Sequence, residues 1–574
     1  MKDDETDAAL GSTGAVRLAI GLAQGLALYL LYLAAEDTVW PATNGIVFAP
    51  LTLIAWFVPL ILLVSVRSLR FRTLAIWTVA ALAVLAGLAV HDLVRDTELN
   101  TGSFWFGYPP SQGNRIAPSP FLFGFGAIGL FIAQALIGAG DADRRYIASY
   151  PRYFDVAWKQ AVQLVFAAAF VGAFWALLWL GAGLFELVKI DFLTKLIGHR
   201  WFAIPATTLA LASAIHVTDV RAGIVRGIRT LKLTLLSWLL PLLTLIAVGF
   251  LGVLPFTGLE RLWSTRHATA LLLTVATLLV LLVNAAYQDG QPERAVPRVF
   301  RWAGSLASLA LVPLTALAGY AVALRIGQHG WTTDRIIAVA YIGIVAVHAL
   351  GYAIAVVWPG AWLKRLEGCN VLGAFVTLAI LLALFTPVAD PARISVASQV
   401  ARLEAGTIPP DKFDFAFLRF DGGRYGREAL ARLKSAAEGP NAAAIRVAAD
   451  KALRMPNRFG GPVTPPTSQD LAANITVFPA GRSLPEAFLR QNFNASAPQQ
   501  WFIPQCLKDR SQRCEAYLVP LGMDGAESII IGPADNRGSQ TVVFVPDADS
   551  TWKPAGILPT LVNCGKIRDA LRSG

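Results

Sequence analysis

Eleven apolar runs, each close to the length that crosses a lipid bilayer, occupy the first two thirds of this 574-residue chain. They lie near residues 16–35, 46–66, 73–91, 121–139, 160–182, 202–218, 233–255, 267–287, 303–324, 336–357 and 368–387. A membrane helix needs about 20 mostly apolar residues, because the hydrocarbon core is about 30 Å thick and a helix rises about 1.5 Å per residue. A backbone in lipid has no water to bond, so segments like these can span only as helices or as a closed barrel. The runs are too long for barrel strands. Composition agrees, with 55% hydrophobic and 15% charged residues, against about a quarter charged in ordinary soluble proteins. The charge deficit is confined to the part before residue 388, and the remainder reads as a globular domain.

The expected fold class is therefore a polytopic α-helical membrane protein of about 11 transmembrane helices with a C-terminal soluble α+β domain. The expected divisions are a tail at 1–15, a multi-span domain at 16–387, a helical neck at 388–465 and a small α+β domain at 466–574. The sixth run is the weakest, being short and carrying Pro205 and His216. The preceding "KIDFLTKLIGHRWF" reads as an interfacial helix. The first run follows the acidic "MKDDETDAALGSTG" and shows no small-residue cleavage site, so it is expected to stay as an anchor helix. Within it, Gly21 and Gly25 have the small-xxx-small spacing that lets helices approach closely, most simply within the same bundle.

The net charge of +11 does not point to nucleic acid, because no binding motif accompanies it. Much of the positive charge sits in short connections between runs. One alternating set of connections holds sixteen Lys and Arg, from Arg67 through Arg152 and Arg226 to Arg365; the other holds nine, from Arg95 through Lys195 to Arg335. Cytoplasmic loops accumulate such residues. The N-terminus is therefore expected in the cytoplasm, and eleven crossings put the tail outside.

Cysteine usage bears on the same question. "CLKDRSQRC" separates Cys506 from Cys514 by a polar loop suited to a disulfide, with Cys514–Cys564 as the rival pairing and unpaired thiols as the plain alternative. Disulfides persist in oxidising compartments, which fits an exported tail. In that tail "ARISVASQVARLEAG", "GREALARLKSAAEG" and "NAAAIRVAADKALRM" have helical spacing and stops. "ITVFP", "CEAYLVP", "ESIIIG" and "QTVVFVP" read as strands between turn residues. In "DKFDFAFLRF", Phe413, Phe417 and Phe420 would share one helix face, as a core-facing helix or, less simply, as one lying on the bilayer.

No complete catalytic motif is present. Glu36 and Asp37 close the first run, and an acidic pair there would suit a general base in an enzyme acting on lipid-linked sugars. The loop is only about ten residues, too short for such a site, and acids also end apolar helices in water. They are weak catalytic candidates. Polar groups within spans are functional suspects by default: His216 and Asp219, three apart and able to meet on one face, Asn284 and His348. A transporter could use them for protons or substrate, but the set is sparse, no intramembrane Asp, Glu or Arg stands out, and the halves show no repeat. Hydrogen bonds between packed helices are the expected role.

The aromatic loop "SFWFGYPPSQGNRIAPSPF" reads as an interface anchor. "STWK" matches an S-x-x-K element without its companions. "LGMDGAES" lacks the oxygen ligands of a calcium loop. No metal site and no cofactor are expected, and no Walker A, HExxH or G-x-S-x-G occurs.

Several stretches carry a family likeness. "RLAIGLAQGLALYLLYLAAE", "RTLKLTLLSWLLPLLTLIAVGFLGVLPFTGLERLW", "LLVNAAYQDG", "HGWTTDRIIAVAYIGIVAVHALGYA" and "ISVASQVARLEAGTIPPDKFDFAFLRFDGGRYGREAL" resemble the bacterial proteins grouped as domain of unknown function 4153. The resemblance implies a multi-pass protein of a Gram-negative inner membrane, with the tail then periplasmic, and supplies no catalytic residues. The expected function is a non-catalytic envelope protein that presents its tail to a periplasmic protein or lipid-linked partner, with the bilayer as its constant partner. An enzyme on a lipid-linked substrate and a transporter are the alternatives.

Overall fold

The computed structural model describes residues 2–95, 117–220, 222–258, 268–290, 296–436, 438–455, 466–491, 493, 503–508, 510, 512–520, 527–533, 541–547, 551–558 and 572. Among them, eleven helices are long and apolar enough to cross a membrane. They are α1 (Lys2–Glu36), α2 (Gly45–Ser65), α3 (Phe71–Arg95), α4 (Pro120–Asp143), α5 (Tyr150–Leu187), α7 (Arg200–Val220), α8 (Ala222–Thr257), α9 (Ala268–Tyr287), α10 (Arg298–His329), α11 (Thr333–Val357) and α12 (Leu366–Leu384). The short α6 (Phe192–Gly198) precedes the weakest span, where an interfacial helix is expected.

Several helices outrun their apolar stretches. α5 has 38 residues, about 57 Å of helix at 1.5 Å per residue, although the apolar run covers only 160–182. Its first turns carry Arg152, Asp155 and Lys159, which a hydropathy window rejects. The helix starts there because Pro151 suits a first turn, and it continues because Tyr150, Tyr153 and Phe154 are buried.

Chain contacts divide the protein into two compact units. The first comprises nearly all of residues 1–413 with 421–429; the second comprises chiefly 414–420 and 430–574. α13 (Pro391–Glu404), within the expected neck, belongs to the unit of membrane helices. Its Gln399 donates to the carbonyls of His329 and Trp331, each at 2.9 Å, and Ser398 accepts from the Trp331 amide at 3.1 Å. The expected neck is thus shared between the units.

In the membrane unit, α1 lies against α7, α2 against α3, and α8 to α11 against one another; α4, α5 and α12 join these groups. The largest apolar core draws on α5 and on α8 through α12, with Leu240, Ala276, Leu311 and Tyr352 among its fully buried members. The α1–α7 contact is made by small residues. A Cβ on Gly21 would stand 2.5 Å from the Ala212 Cβ, and one on Gly25 would stand 2.5 Å from the Pro205 Cα. Without a hydrophobic force between helices in lipid, such close backbone approach is what van der Waals packing needs.

Besides residues 414–420, the second unit takes in the end of α14 (Gly423–Ala436), α15 (Ala442–Leu453), α16 (Ser468–Asn474), α17 (Glu486–Leu489) and one five-stranded sheet. Its strands are β1 (Ile475–Phe478), β2 (Cys514–Pro520), β3 (Glu527–Pro533), β4 (Val542–Pro546) and β5 (Trp552–Ile557), in that spatial order. β1 pairs parallel to β2, and the other pairs are antiparallel. Alternation sends Cys514, Ala516 and Leu518 to one face with Ile529, Ile531 and Phe544, where they pack with Ile475 and Phe488. Tyr517 and Ile530 form a second cluster on the other face, against Phe478 and Val543. β2 and β3 are buried on both faces, which is why both read as continuous apolar runs. Cys506 and Cys514 are joined by a disulfide with Cα atoms 6.0 Å apart, inside the first of these clusters. Cys564, Asp524 and Gly525 of "LGMDGAES", Ser550 of "STWK" and residues 103–116 of the aromatic loop lie outside the described residues. In place of one long helix, "DKFDFAFLRF" holds a π-helical turn (Phe417–Asp421), with Phe413, Phe415 and Phe420 buried.

The α1–α7 contact gives a direct comparison. Gly25→Ala is expected to lower stability by about 1–3 kcal/mol, the usual cost of overpacking, because the Pro205 backbone cannot step aside. Gly87→Ala, whose Cβ would meet nothing within 4 Å, should be neutral or stabilising by up to about 1 kcal/mol. Thermal unfolding of the purified protein in detergent measures both; equal melting points would show that α1 and α7 do not touch as described.

Candidate functional site

Among the described residues, three of the polar clusters between helices tie together elements especially distant in sequence. The first centres on Arg17 of α1, which is 1% exposed. Its Nε donates to the Leu63 carbonyl of α2 at 3.0 Å, and its Nη2 donates to Asp219 Oδ2 of α7 at 2.9 Å. Lys159 of α5 reaches Asp219 Oδ1 at 2.7 Å. Four helices therefore meet on one carboxylate and its two cations. Burial of Arg17 and Asp219 makes their pairing compulsory, because an unpaired buried charge costs several kcal/mol.

This arrangement corrects two expectations. His216 and Asp219 share a helix but not a bond: Asp219 faces the cations, whereas His216 lies against Gly14, where an added Cβ would stand 3.0 Å from Nε2. Arg17 is the intramembrane cation that the sequence reading passes over. It sits at the edge of the first apolar run beside polar residues, so it looks like a flanking charge. Its i+4 and i+7 neighbours Gly21 and Gln24 were the available signal, since Gln24 also turns inward and donates to the Ala55 and Trp56 carbonyls.

The second cluster is a closed ring. Asn284 Nδ2 (α9) donates to the Tyr352 hydroxyl (α11) at 2.6 Å, that hydroxyl donates to Asn370 Oδ1 (α12) at 2.6 Å, and Asn370 Nδ2 donates to Asn284 Oδ1 at 2.5 Å. Tyr150 of α5 completes the group, accepting from Asn370 at 3.3 Å and donating to Asn284 at 3.4 Å. The second Asn284 amide hydrogen goes to the Val280 carbonyl at 2.8 Å. Every amide and hydroxyl hydrogen in the ring thus has an acceptor. Such a network orients helices and offers no spare group to a solute. Asn284 joins this ring; His348 does not. The His348 Nδ1 lies 2.9 Å from the Ile344 carbonyl of its own helix, and the ring packs against Gly373.

The third cluster lies where α3, α4 and α13 meet. Asp92 accepts from the Ser119 amide at 2.7 Å, from the Ser119 hydroxyl at 2.9 Å and from Arg95 at 3.1 Å. Asp390, completely buried, caps α13 by accepting from the Ala392 amide at 2.8 Å. His91 Nε2 stands 3.5 Å from Asp390 Oδ2 and Arg95 stands 4.0 Å from Oδ1. His91 is the last residue of the third apolar run and Asp390 falls in the expected helical neck; nothing in their spacing joins residues 299 positions apart.

Glu36 and Asp37 end α1 and are both exposed. The Asp37 amide still bonds to the Leu33 carbonyl at 2.9 Å, so the pair marks the last turn of the helix. Among the described residues, no group of three or more His, Cys, Asp or Glu is placed to hold a metal ion. In the tail, Glu515 is buried between the Tyr517 hydroxyl at 2.5 Å and Arg572 at 2.6 Å, and that hydrogen bond raises the Arg572 guanidinium above its ordinary range. The Thr467 amide and hydroxyl hold the Asp470 carboxyl below the usual carboxylate range, as a capping box does.

Eleven apolar helices with internally paired polar groups define a multi-pass helical membrane protein. The family model described as Domain of unknown function (DUF4153) matches residues 25–433. The chain belongs to that family. No curated protein and no solved structure matches it.

The clusters predict different costs. Tyr352→Phe leaves an Asn284 hydrogen and the Asn370 oxygen without partners and should destabilise by about 1–3 kcal/mol. Arg17→Leu, which removes one of the two cations on a buried carboxylate, should cost about 3–5 kcal/mol. Lys159→Leu, at the half-exposed partner, should cost below about 1 kcal/mol. Chemical unfolding in mixed micelles ranks the three, and a Lys159 effect equal to that of Arg17 would invalidate the assignment of the buried pair.

Proposed function

We propose that this protein is a bacterial inner-membrane scaffold that holds its disulfide-bearing tail in the periplasm for a protein or lipid-linked partner. The observation that carries the reading is the contrast between the units. Polar groups within the spans are largely spent on one another, as in the Tyr352–Asn284–Asn370 ring. The tail has its own core, a sheet buried on two faces and a cystine. A cystine belongs in an oxidising compartment, and the sixteen basic residues of alternate loops favour a cytoplasmic N-terminus. Eleven crossings then carry the tail outside.

Intact cells treated with a membrane-impermeant maleimide, before and after reduction, test this. Cys506 and Cys514 should label only after reduction, without permeabilising the inner membrane. Labelling that needs permeabilisation but no reduction would place the tail in the cytoplasm and end the proposal. Turnover of a lipid-linked substrate by the purified protein would replace scaffold with enzyme, and Glu36→Ala with Asp37→Asn would then be the first variants to make.

A further inference from the structure

α13 is the first helix after the last span, and Asp390, which caps it, approaches α3 at a histidine with an unusual setting. Both His91 ring nitrogens are sealed from solvent and lack a hydrogen-bond partner, and so do Asp390 Oδ2 and Arg95 Nε. The charged groups around the ring are Asp92 and Arg95 of α3, Asp390 at the start of α13 and Arg424 of α14, the last half-exposed and 3.9 Å from Glu428. Apart from Asp390 Oδ2, the oxygens of both carboxylates already have donors. Asp92 is held by Ser119 and Arg95, and Asp390 by amides of the first turn of α13. In this closed arrangement two anions and two cations surround the imidazole ring.

We propose that His91, Arg95 and Asp390 form a proton-operated clasp that fastens α13 to α3 and opens when His91 takes up a proton. An imidazolium has two N–H donors. In the closed site one would face an oxygen 3.5 Å away and the other would have no acceptor, while a fifth charge would upset the balance of the existing four. Withdrawal of the ring to water relieves both penalties, and withdrawal separates α13 from α3. Histidine is the side chain whose ordinary titration spans pH 5 to 8, so acidification of the surrounding compartment is the natural trigger. The clasp does not depend on which partner the tail serves.

Hydrogen exchange of residues 391–404 in the full chain, reconstituted in lipid nanodiscs and corrected for intrinsic rates, reads the clasp. Between pH 7.5 and 5.5 the open population of α13 should rise severalfold. His91→Gln and His91→Phe, one polar and one space-filling, should both abolish the pH response, so that either suffices should the other fail to fold. His329→Gln should preserve it; this control is needed because the His329 carbonyl receives Gln399 of α13. A flat profile in the native protein, tighter closure on acidification, or a response that survives loss of His91 would each overturn the proposal.

Discussion

A charge inside a helix bundle has to be matched before the bundle can close, and Arg17 decides how four of these helices meet. Its bonds to Leu63 and Asp219, with Lys159 on the same carboxylate, fix α1, α2, α5 and α7 at one end. The Gly21 and Gly25 contacts fix α1 against α7 along the rest of their length. These interactions depend on each other. The guanidinium reaches Asp219 only because small residues let the helices approach closely, and such an approach without paired charges would bury Arg17 at prohibitive cost. Sequence distance is irrelevant to this logic, since 202 positions separate Arg17 from Asp219.

The second half of the bundle solves the same problem without charge. Asn284, Tyr352 and Asn370 exchange hydrogen bonds in a ring, with Tyr150 reaching in from α5. α5 thereby contributes to both solutions, through Lys159 and through Tyr150. Its 38-residue length is what allows one helix to serve the ion pair of one group and the amide ring of the other. A closed ring specifies orientation, since any rotation of a participating helix leaves an amide unpaired in a medium that cannot supply a replacement partner.

These relations explain what was legible in the sequence. The spans were, because lipid imposes a length and a composition that can be counted along the chain. Four of the five described strands of the tail were, because turn residues bracket their apolar runs; β5 was not, since Lys553, Pro554 and Gly556 interrupt its apolar pattern. Asn284 stood out as a polar residue in an apolar run, whereas Asn370 and Tyr352 did not. One sits near a span's end, and the other is an aromatic residue that suits lipid as well as a network. Arg17, His91 and Asp390 were opaque for a common reason: each lies at the edge of an apolar run, where a polar residue is the normal way for a helix to meet water. Only the three-dimensional contact separates an edge residue that faces solvent, such as Glu36, from one that is buried against a partner.

The family match ends at residue 433, and the compact unit of membrane helices ends at Ala429. Two independent properties, shared sequence and physical contact, thus stop within one helical turn of each other inside α14. The coincidence assigns α13 and the first turns of α14 to the membrane unit rather than to a linker. The sheet, with its cystine and two-sided core, lies wholly beyond the matched stretch. The His91–Asp390 junction and most of the Arg17 and Asn284 clusters' partners fall inside the matched stretch; Arg17 itself lies just ahead of it. In this chain the matched stretch therefore holds a bundle organised by buried polar contacts together with the helix that leaves it, and the sheet lies beyond it.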